Sequence, residues 1–326
     1  MACLIWSCEE DSTVDWFVGR YLNHSEIAWF RFDVERFPEM ITVDLGVNHC
    51  KIHFSSSKTI SADEINFVWY RKPRPSEFRV LRPTPESISY IRDEAAWALT
   101  MVHKKLSHAI WMNLPDLNLR AGDKIRQLEI AEQVGFRCPK TIVTNDASSA
   151  IDFATDYGGQ LVVKPVHKGS LGLKFVKKVF YTTILSAEQI QSRAVAISIC
   201  PLIFQEPIPK LFELRVVVVG DDCHAVRLDS QERSETIVDW RRSPGLVRHS
   251  IFSLPEWVSD KCVRLVRQEG LLFSAFDFIV TPEGEYVFLE HNPNGQFAWL
   301  EEFTGIPIGQ SLMKLFENYD IRMRGV

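Results

Sequence analysis

The sequence predicts an α/β protein made of two or three cooperating lobes, and three observations carry that expectation. The chain has 326 residues, well beyond the ~100–200 residues of one domain. It opens on a strand–helix–strand pattern, which points to an α/β lobe with a partly parallel sheet. Its last third holds long runs of β-branched and aromatic residues together with two helical stretches. Apolar residues make up 46% and charged residues 24%, near globular averages, which excludes a disordered, collagen-like or disulfide-scaffold chain. The net charge is −5. Nucleic-acid binding would need a basic domain or stripe, so no nucleic acid is expected as a partner, and any polyanion must be met by a few placed cations.

Residues 2–6 (ACLIW) read as a buried strand. Asp11 or Ser12 then caps a helix running to Leu22 with apolar positions Val14, Phe17, Val18 and Tyr21. A second strand covers 28–32. Residues 41–55 alternate in places as antiparallel strands do, and 66–70 (NFVWY) form another buried strand ending in Arg71 and Lys72. Pro73, Pro75, Pro83 and Pro85 mark a loop, and 86–106 a helix with a stripe at Ile88, Ile91, Ala95, Leu99 and Val102. The first lobe is therefore 1–116. Past Gly122, the run DKIRQLEIAEQVG gives a helix with Ile125, Leu128, Ile130, Ala131 and Val134 inward and Gly135 as its stop. LVVKPV, KGSLG and KFVKKVF then read as strand, tight loop and strand. The prolines of PLIFQEPIP suit an extended connector, so the central lobe is 117–204 and the third 205–326. That third lobe holds the runs RVVVVG, CHAVRLD, FDFIV and YVFLEHN, with helices over 257–269 and 310–318.

Seven scattered cysteines without a CxxC read as buried hydrophobes in a reducing compartment. The amino terminus turns acidic by Glu9, unlike a signal peptide, and no apolar run nears the ~18 residues of a membrane span. A cytoplasmic protein with no membrane partner is expected. No nucleophile elbow with matching His and Asp is visible, so acyl-enzyme catalysis is not expected.

The densest chemistry lies at 277–292. Two antiparallel strands joined at TPEGE would bring Asp277, Glu290 and Asn292 together, with Glu290 and Asn292 on one face because strand side chains repeat every two residues. Such hard oxygen donors suit Mg²⁺, which takes its remaining ligands from water and phosphates. The competing reading is a polar hairpin edge. His291 points to the opposite face and reads as packing or peptide-contacting. Lys164 ends a hydrophobic strand before Lys168, Gly169, Ser170 and Gly172, a candidate phosphate cradle; neither GxxxxGK[ST] nor GxGxxG is present. Lys124 begins a helix. In FQEPIPKLFELR, an extended edge could offer backbone groups to an adenine, with Gln205, Glu206 and Glu213 among the polar candidates; the alternative is a plain linker. Arg215 and Arg241 carry planar forks that match phosphate or carboxylate oxygens. Arg71, Lys72, Arg74, Arg79 and Arg82 could attract an acidic peptide, although a solvated loop is the preferred reading.

In this order, helix lysine, strand lysine, glycine loop, hinge carboxylates, arginines and late Asp–Glu–Asn cluster, the sequence resembles the ATP-grasp superfamily. Within it, VWYRKP, FQEPIPKLFELRVVVVG, DWRR and FLEHNPNGQFAWLEE look like the microviridin-type macrocyclases of graspetide biosynthesis. The resemblance implies an ATP-grasp fold of N-terminal pre-ATP-grasp, central and C-terminal lobes, with ATP and Mg²⁺ as cofactors. It implies that an Asp or Glu side chain of a ribosomally made precursor peptide, recognised through a leader segment, becomes an acyl phosphate that a Ser or Thr hydroxyl or Lys amine then displaces. On that pattern Lys124 and Lys164 hold phosphates, Glu206 and the backbone near Ile208 hold adenine, Glu213 holds ribose, Asp277, Glu290 and Asn292 hold the metal, and Arg215 and Arg241 hold the transferring phosphoryl group. A homodimer is a further expectation. The alternative is an ATP-grasp ligase acting on small amino acids or adding glutamate to a protein tail.

Overall fold

The computed structural model describes residues 2–167, 169–173 and 176–323. In the first hundred residues β1 (Ala2–Ser7), α1 (Ser12–Arg20), β2 (Ala28–Asp33), the small antiparallel set β3 (Thr42–Leu45), β4 (Cys50–Ser55) and β5 (Lys58–Ser61), β6 (Ile65–Tyr70), α2 (Pro85–Lys105) and β7 (Ile110–Met112) follow one another. The sheet order is β2-β1-β6-β7, parallel throughout. β1 is buried at every residue, as a central strand covered on both faces must be. α2 buries Ala95, Leu99 and Val102, while Ile88 and Ile91 at its first turns are only half-buried.

Next come α3 (Pro115–Ala121) and α4 (Lys124–Gln133). Asp123 caps α4 by accepting from the amides of Ile125 and Arg126, and Gly135, at φ +89°, ends it in the left-handed conformation that favours glycine. The inward stripe differs from the expected one: Ile125 is exposed and Gln127 is buried, for the reason given below. Chain order places α4 in the central lobe, yet Ile130, Ala131 and Val134 share a core with Phe276, Phe278 and Phe288 of the last sheet.

The central sheet, order β12-β9-β13-β8, is antiparallel and comprises β8 (Thr141–Thr144), β9 (Gln160–Pro165), β12 (Thr183–Ser186) and β13 (Leu202–Gln205). β10 (Ser170–Leu173) and β11 (Val176–Val179) pair beside it, and α5 (Ala147–Thr155), α6 (Ala187–Gln191) and α7 (Ala194–Ile199) complete the lobe. Most of the expected KGSLG loop is therefore strand, with Gly172 opposite Lys177.

The last sheet, order β16-β15-β14-β17-β18, is built from β14 (Phe212–Val219), β15 (Asp222–Leu228), β16 (His249–Ile251), β17 (Phe273–Val280) and β18 (Tyr286–Asn292); α8 (Glu256–Gln268), α9 (Ala298–Thr304) and α10 (Ile308–Met323) cover it. β14 is almost wholly buried because it has a core on each face. Leu214, Val216 and Val218 pack with α8, whereas Val217 and Val219 pack with Phe17 of α1, Trp69 of β6 and Phe316 of α10. Burying each of those aromatics is worth ~1.5–3 kcal/mol, so the first and last sheets share one core. No helix among the described residues is long and apolar enough to cross a membrane.

Candidate active site

The period of two along β14 decides what faces the cleft between the central and last sheets. Glu213 and Arg215 lie on the same face as Val217 and Val219, but at the strand end where the N-terminal sheet no longer covers them. Arg215 pairs in register with Asp277 of β17, and Asp277 with Glu290 of β18. A bulge between Asp277 and Phe278 puts one extra residue in β18, so Phe278 opposes Phe288 while Asp277 opposes Glu290. Without it Glu290 would share the core face of Phe288; the bulge re-aims it. His291 takes the core face instead, at 5.4 Å from the Phe276 ring with Nδ1 at 2.9 Å from Ser274 Oγ. Burial, with Lys124 adding, pushes its imidazole down to about 3. It is 1% exposed and packs the core, so a peptide cannot reach it.

β18 is a sheet edge, whose unpaired backbone groups need partners. Gln127 of α4 supplies two, donating to His291 O at 2.9 Å and accepting from His291 N at 3.2 Å, and Arg137 O accepts from Phe288 N at 2.9 Å. That contact buries Gln127 in place of Ile125 and brings Lys124 to Glu290, its ammonium donating to Oε2 at 2.7 Å. Burial would raise the Glu290 carboxyl; Lys124 first, then Lys164 and Arg241, hold it well below the ordinary glutamate value.

The expected mutual repulsion of Asp277 and Glu290 is relieved by the chain's own cations. Arg215 donates through one terminal nitrogen to both Asp277 oxygens at 2.9 Å, and its Nε has no partner among the described residues. Arg241 binds Asp239 through Nε at 2.8 Å and a terminal nitrogen at 2.9 Å, leaving its other terminal nitrogen for a ligand. Desolvation would lower Arg241, but Asp239 raises it above the ordinary guanidinium value.

The Lys164 ammonium, on β9, forms no hydrogen bond or ion pair among the described residues. Burial lowers its pKa, opposed by Glu290 and reinforced by Arg241. Glu213 accepts from Lys210 Nζ and Ser230 Oγ, both at 2.9 Å and both on Oε1, so Oε2 is what remains for a ligand. Glu206 accepts from the Lys140 amide at 3.1 Å, and Gln205 donates to Thr141 Oγ1 at 2.9 Å. The Ile208 backbone, flanked by Pro207 and Pro209, makes no hydrogen bond among the described residues and faces the cleft. Asn292 Oδ1 accepts from Asn294 N at 2.9 Å.

One cleft of about 650 Å³ is lined by Lys124, Lys164, Gly169, Gln205, Glu206, Ile208, Glu213, Arg215, Arg241, Asp277, Glu290 and Asn292. Of the remaining site residues, Ser170 and Gly172 fall on β10, whose side chains lie outside the described residues, as does Lys168 altogether. Lys210 and Asp239, which neutralise Glu213 and Arg241, are not among the residues that the sequence singles out. Their only sequence signals were opposite charges three and two positions away, a spacing common on any surface.

The fold and this cleft have known counterparts. No family model matches the chain. Two solved structures match along nearly the whole chain. The macrocyclase MdnC of Microcystis aeruginosa MRC, bound with precursor peptide MdnA, is 26% identical with a TM-score of 0.85, covering 98% of this chain and 100% of its own. The RiPP-associated ATP-grasp ligase of Chryseobacterium gregarium, in complex with ADP and a leader and core peptide, is 26% identical with a TM-score of 0.87, covering 96% of each. The chain has the ATP-grasp fold. Among ATP-grasp proteins it resembles the ligases and macrocyclases that modify ribosomal peptides, as its motifs implied. A curated relative, the alpha-aminoadipate–LysW ligase LysX of Sulfolobus acidocaldarius, is 24% identical over 175 residues, which span 53% of this chain and 61% of that protein.

Mg²⁺ and ATP fit the residues present. Asp277, Glu290 and Asn292 offer hard oxygens on one side of the cleft, matching the donors Mg²⁺ prefers. Among the described residues no group of three His, Cys, Asp or Glu side chains gathers, so the amide of Asn292 is needed to make a third protein ligand.

Proposed function

We propose that this ATP-grasp protein is an ADP-forming ligase that activates a side-chain carboxylate of a ribosomal precursor peptide and closes it onto a hydroxyl or amine as an ester or amide ring. The observation that carries this reading is the Arg215–Asp277–Glu290 row lining the same cleft as Lys164, a half-buried ammonium without a partner among the described residues. A carboxylate attacking a triphosphate meets like charge, so positive groups must be fixed before it arrives.

Lys124 and Lys164 receive the phosphates. The Ile208 backbone offers its N–H and C=O to adenine, with Gln205 and Glu206 shaping that end, Gly169 closing over it, and Glu213 Oε2 reaching ribose. Asp277, Glu290 and Asn292 hold Mg²⁺, which when bound neutralises phosphate charge. Arg215 and Arg241 hold the transferring phosphoryl group: the peptide carboxylate oxygen bonds to the γ-phosphorus as the bond to ADP breaks, and the nucleophile then takes the acyl carbon as phosphate leaves. Fixing both peptide side chains supplies up to ~7–11 kcal/mol through proximity. The proposal extends to a leader-bearing peptide partner, a homodimer, and a cytoplasmic setting in which all seven cysteines, free thiols here, stay reduced.

The LysX match favours one second reading, a ligase for amino acids or a protein tail. Purified enzyme with ATP and Mg²⁺ separates the two. ADP release stimulated by a leader-bearing peptide and not by free amino acids supports macrocyclisation; turnover with free amino acids alone establishes the second reading.

A further inference from the structure

Lys72, two residues past the end of β6 in the N-terminal sheet, lines the same cleft as Arg215. Its backbone is fixed on both sides. The preceding Arg71 is 1% exposed, donates its amide to Trp6 O at 2.9 Å, and donates its guanidinium to both Asp11 oxygens at 3.0 and 3.3 Å and to Gly295 O at 3.3 Å. The following Pro73 restricts the chain further. Lys72 is thus held against the cleft by its neighbours and is no part of a solvated basic loop.

The charges around it do not balance. Arg71 is matched by Asp11 and Arg215 by Asp277, while the Lys72 ammonium has no hydrogen bond or ion pair among the described residues. A half-buried cation without a counter-charge is costly, and burial, with Arg71 adding and Asp11 opposing, pulls its pKa down to about 8. Among the described residues Lys164 is the other unpaired lysine lining the cleft, at the end assigned to the nucleotide. Two unpaired ammoniums flanking the Arg215–Asp277–Glu290 row leave places for two anions, and the nucleotide accounts for one.

We propose that Lys72 completes, with Arg215, the subsite that receives the carboxylate to be activated, a peptide's Asp or Glu side chain. This rests on the reading that the cleft phosphorylates a carboxylate, and it adds which chain segment selects that carboxylate: the end of β6. Gln296, held by Thr13, lines the same end and offers an amide to the bound group.

The test uses the full wild-type chain with Mg·ADP and acetic anhydride as a small neutral lysine reagent, with each lysine's modification rate read by peptide mass mapping. N-acetyl-glutamate α-amide carries only a side-chain carboxylate; N-acetyl-glutamine α-amide is its uncharged counterpart. The expected result is several-fold slower modification of Lys72 with the carboxylate probe than with the amide probe, and an unchanged rate at the exposed Lys104. Equal Lys72 rates with both probes overturn the proposal. Protection of Lys164 by Mg·ADP, read against a control without nucleotide, tests the nucleotide site separately, so failure of the carboxylate subsite and failure of the ligase reading give different patterns.

Discussion

At Glu290 two effects oppose each other, and the magnitudes decide the outcome. Burial disfavours its charge, but the Lys124 ammonium at 2.7 Å and the positive groups beyond it keep it ionised. The two side chains remain 26% and 36% exposed, so the pair itself is worth no more than ~1 kcal/mol of stability. Glu290→Gln is therefore expected to stay folded, with unfolding free energy within about 1 kcal/mol of wild type, while ADP release falls ~100-fold or more as the phosphate-side charge arrangement is lost. A folded variant with normal turnover would count against the assignment. Asp11 shows the other regime. It sits before α1 where a cap was expected, yet its side chain makes no cap bond, because Arg71 and Ser7 take both oxygens. Burial would raise its carboxyl, but Arg71 foremost holds it below the ordinary aspartate value. A depressed folded pKa contributes stability that is present above the unfolded value, ~3.9, and is lost as pH falls through the folded one. Asp11→Asn should cost ~3–5 kcal/mol near neutral pH by leaving Arg71 buried and unpaired. Urea unfolding at descending pH should show the wild type's advantage shrinking below about pH 4; an advantage that stays constant there would contradict this account.

Among the elements, strand identity was legible and strand irregularity was not. YVFLEHN and FDFIV announce β18 and β17 through their apolar runs, and Glu290 and Asn292 share a face as the period of two requires. The bulge that turns that face toward the cleft leaves no residue signature, because it depends on pairing with another strand. The same limit explains α4: periodicity placed Ile125 inside, but the need of an edge strand for backbone partners put Gln127 there. The loop after β18 is a third case. A Cβ on Gly295 would lie 2.4 Å from the Ala275 Cβ and 2.8 Å from an Arg215 terminal nitrogen, with both neighbours fixed in the sheet. Gly295→Ala should therefore displace Arg215 or the Asn292 loop, costing ~1–3 kcal/mol of stability and lowering turnover more than nucleotide affinity. Calorimetric ADP binding measured beside the rate checks it; loss of both in equal measure would mean that the loop shapes the nucleotide end instead.

For the molecule as a whole, composition and element order foretold an α/β protein, and the motif order foretold the ATP-grasp fold. What they could not foretell is how the sheets share cores. Phe17, Trp69 and Phe316 close one core between the first and last sheets. Asn113 adds to the same junction, donating to Phe273 O and Pro293 O at 3.0 Å each and accepting from Leu272 N at 2.8 Å. These contacts join residues more than 150 positions apart, which no local pattern encodes. They also make the N-terminal sheet part of the cleft's surroundings, since the chain leaving β6 carries Lys72 to its lining. The central claim is that the cleft converts a peptide carboxylate into an acyl phosphate. The most direct measurement is to supply the precursor with its acidic side chains labelled with heavy oxygen and to analyse the products of one turnover by mass spectrometry. The account predicts one labelled oxygen in inorganic phosphate for every ring closed, with ADP as the nucleotide product. Label recovered in AMP, or ring closure with none in phosphate, would contradict it.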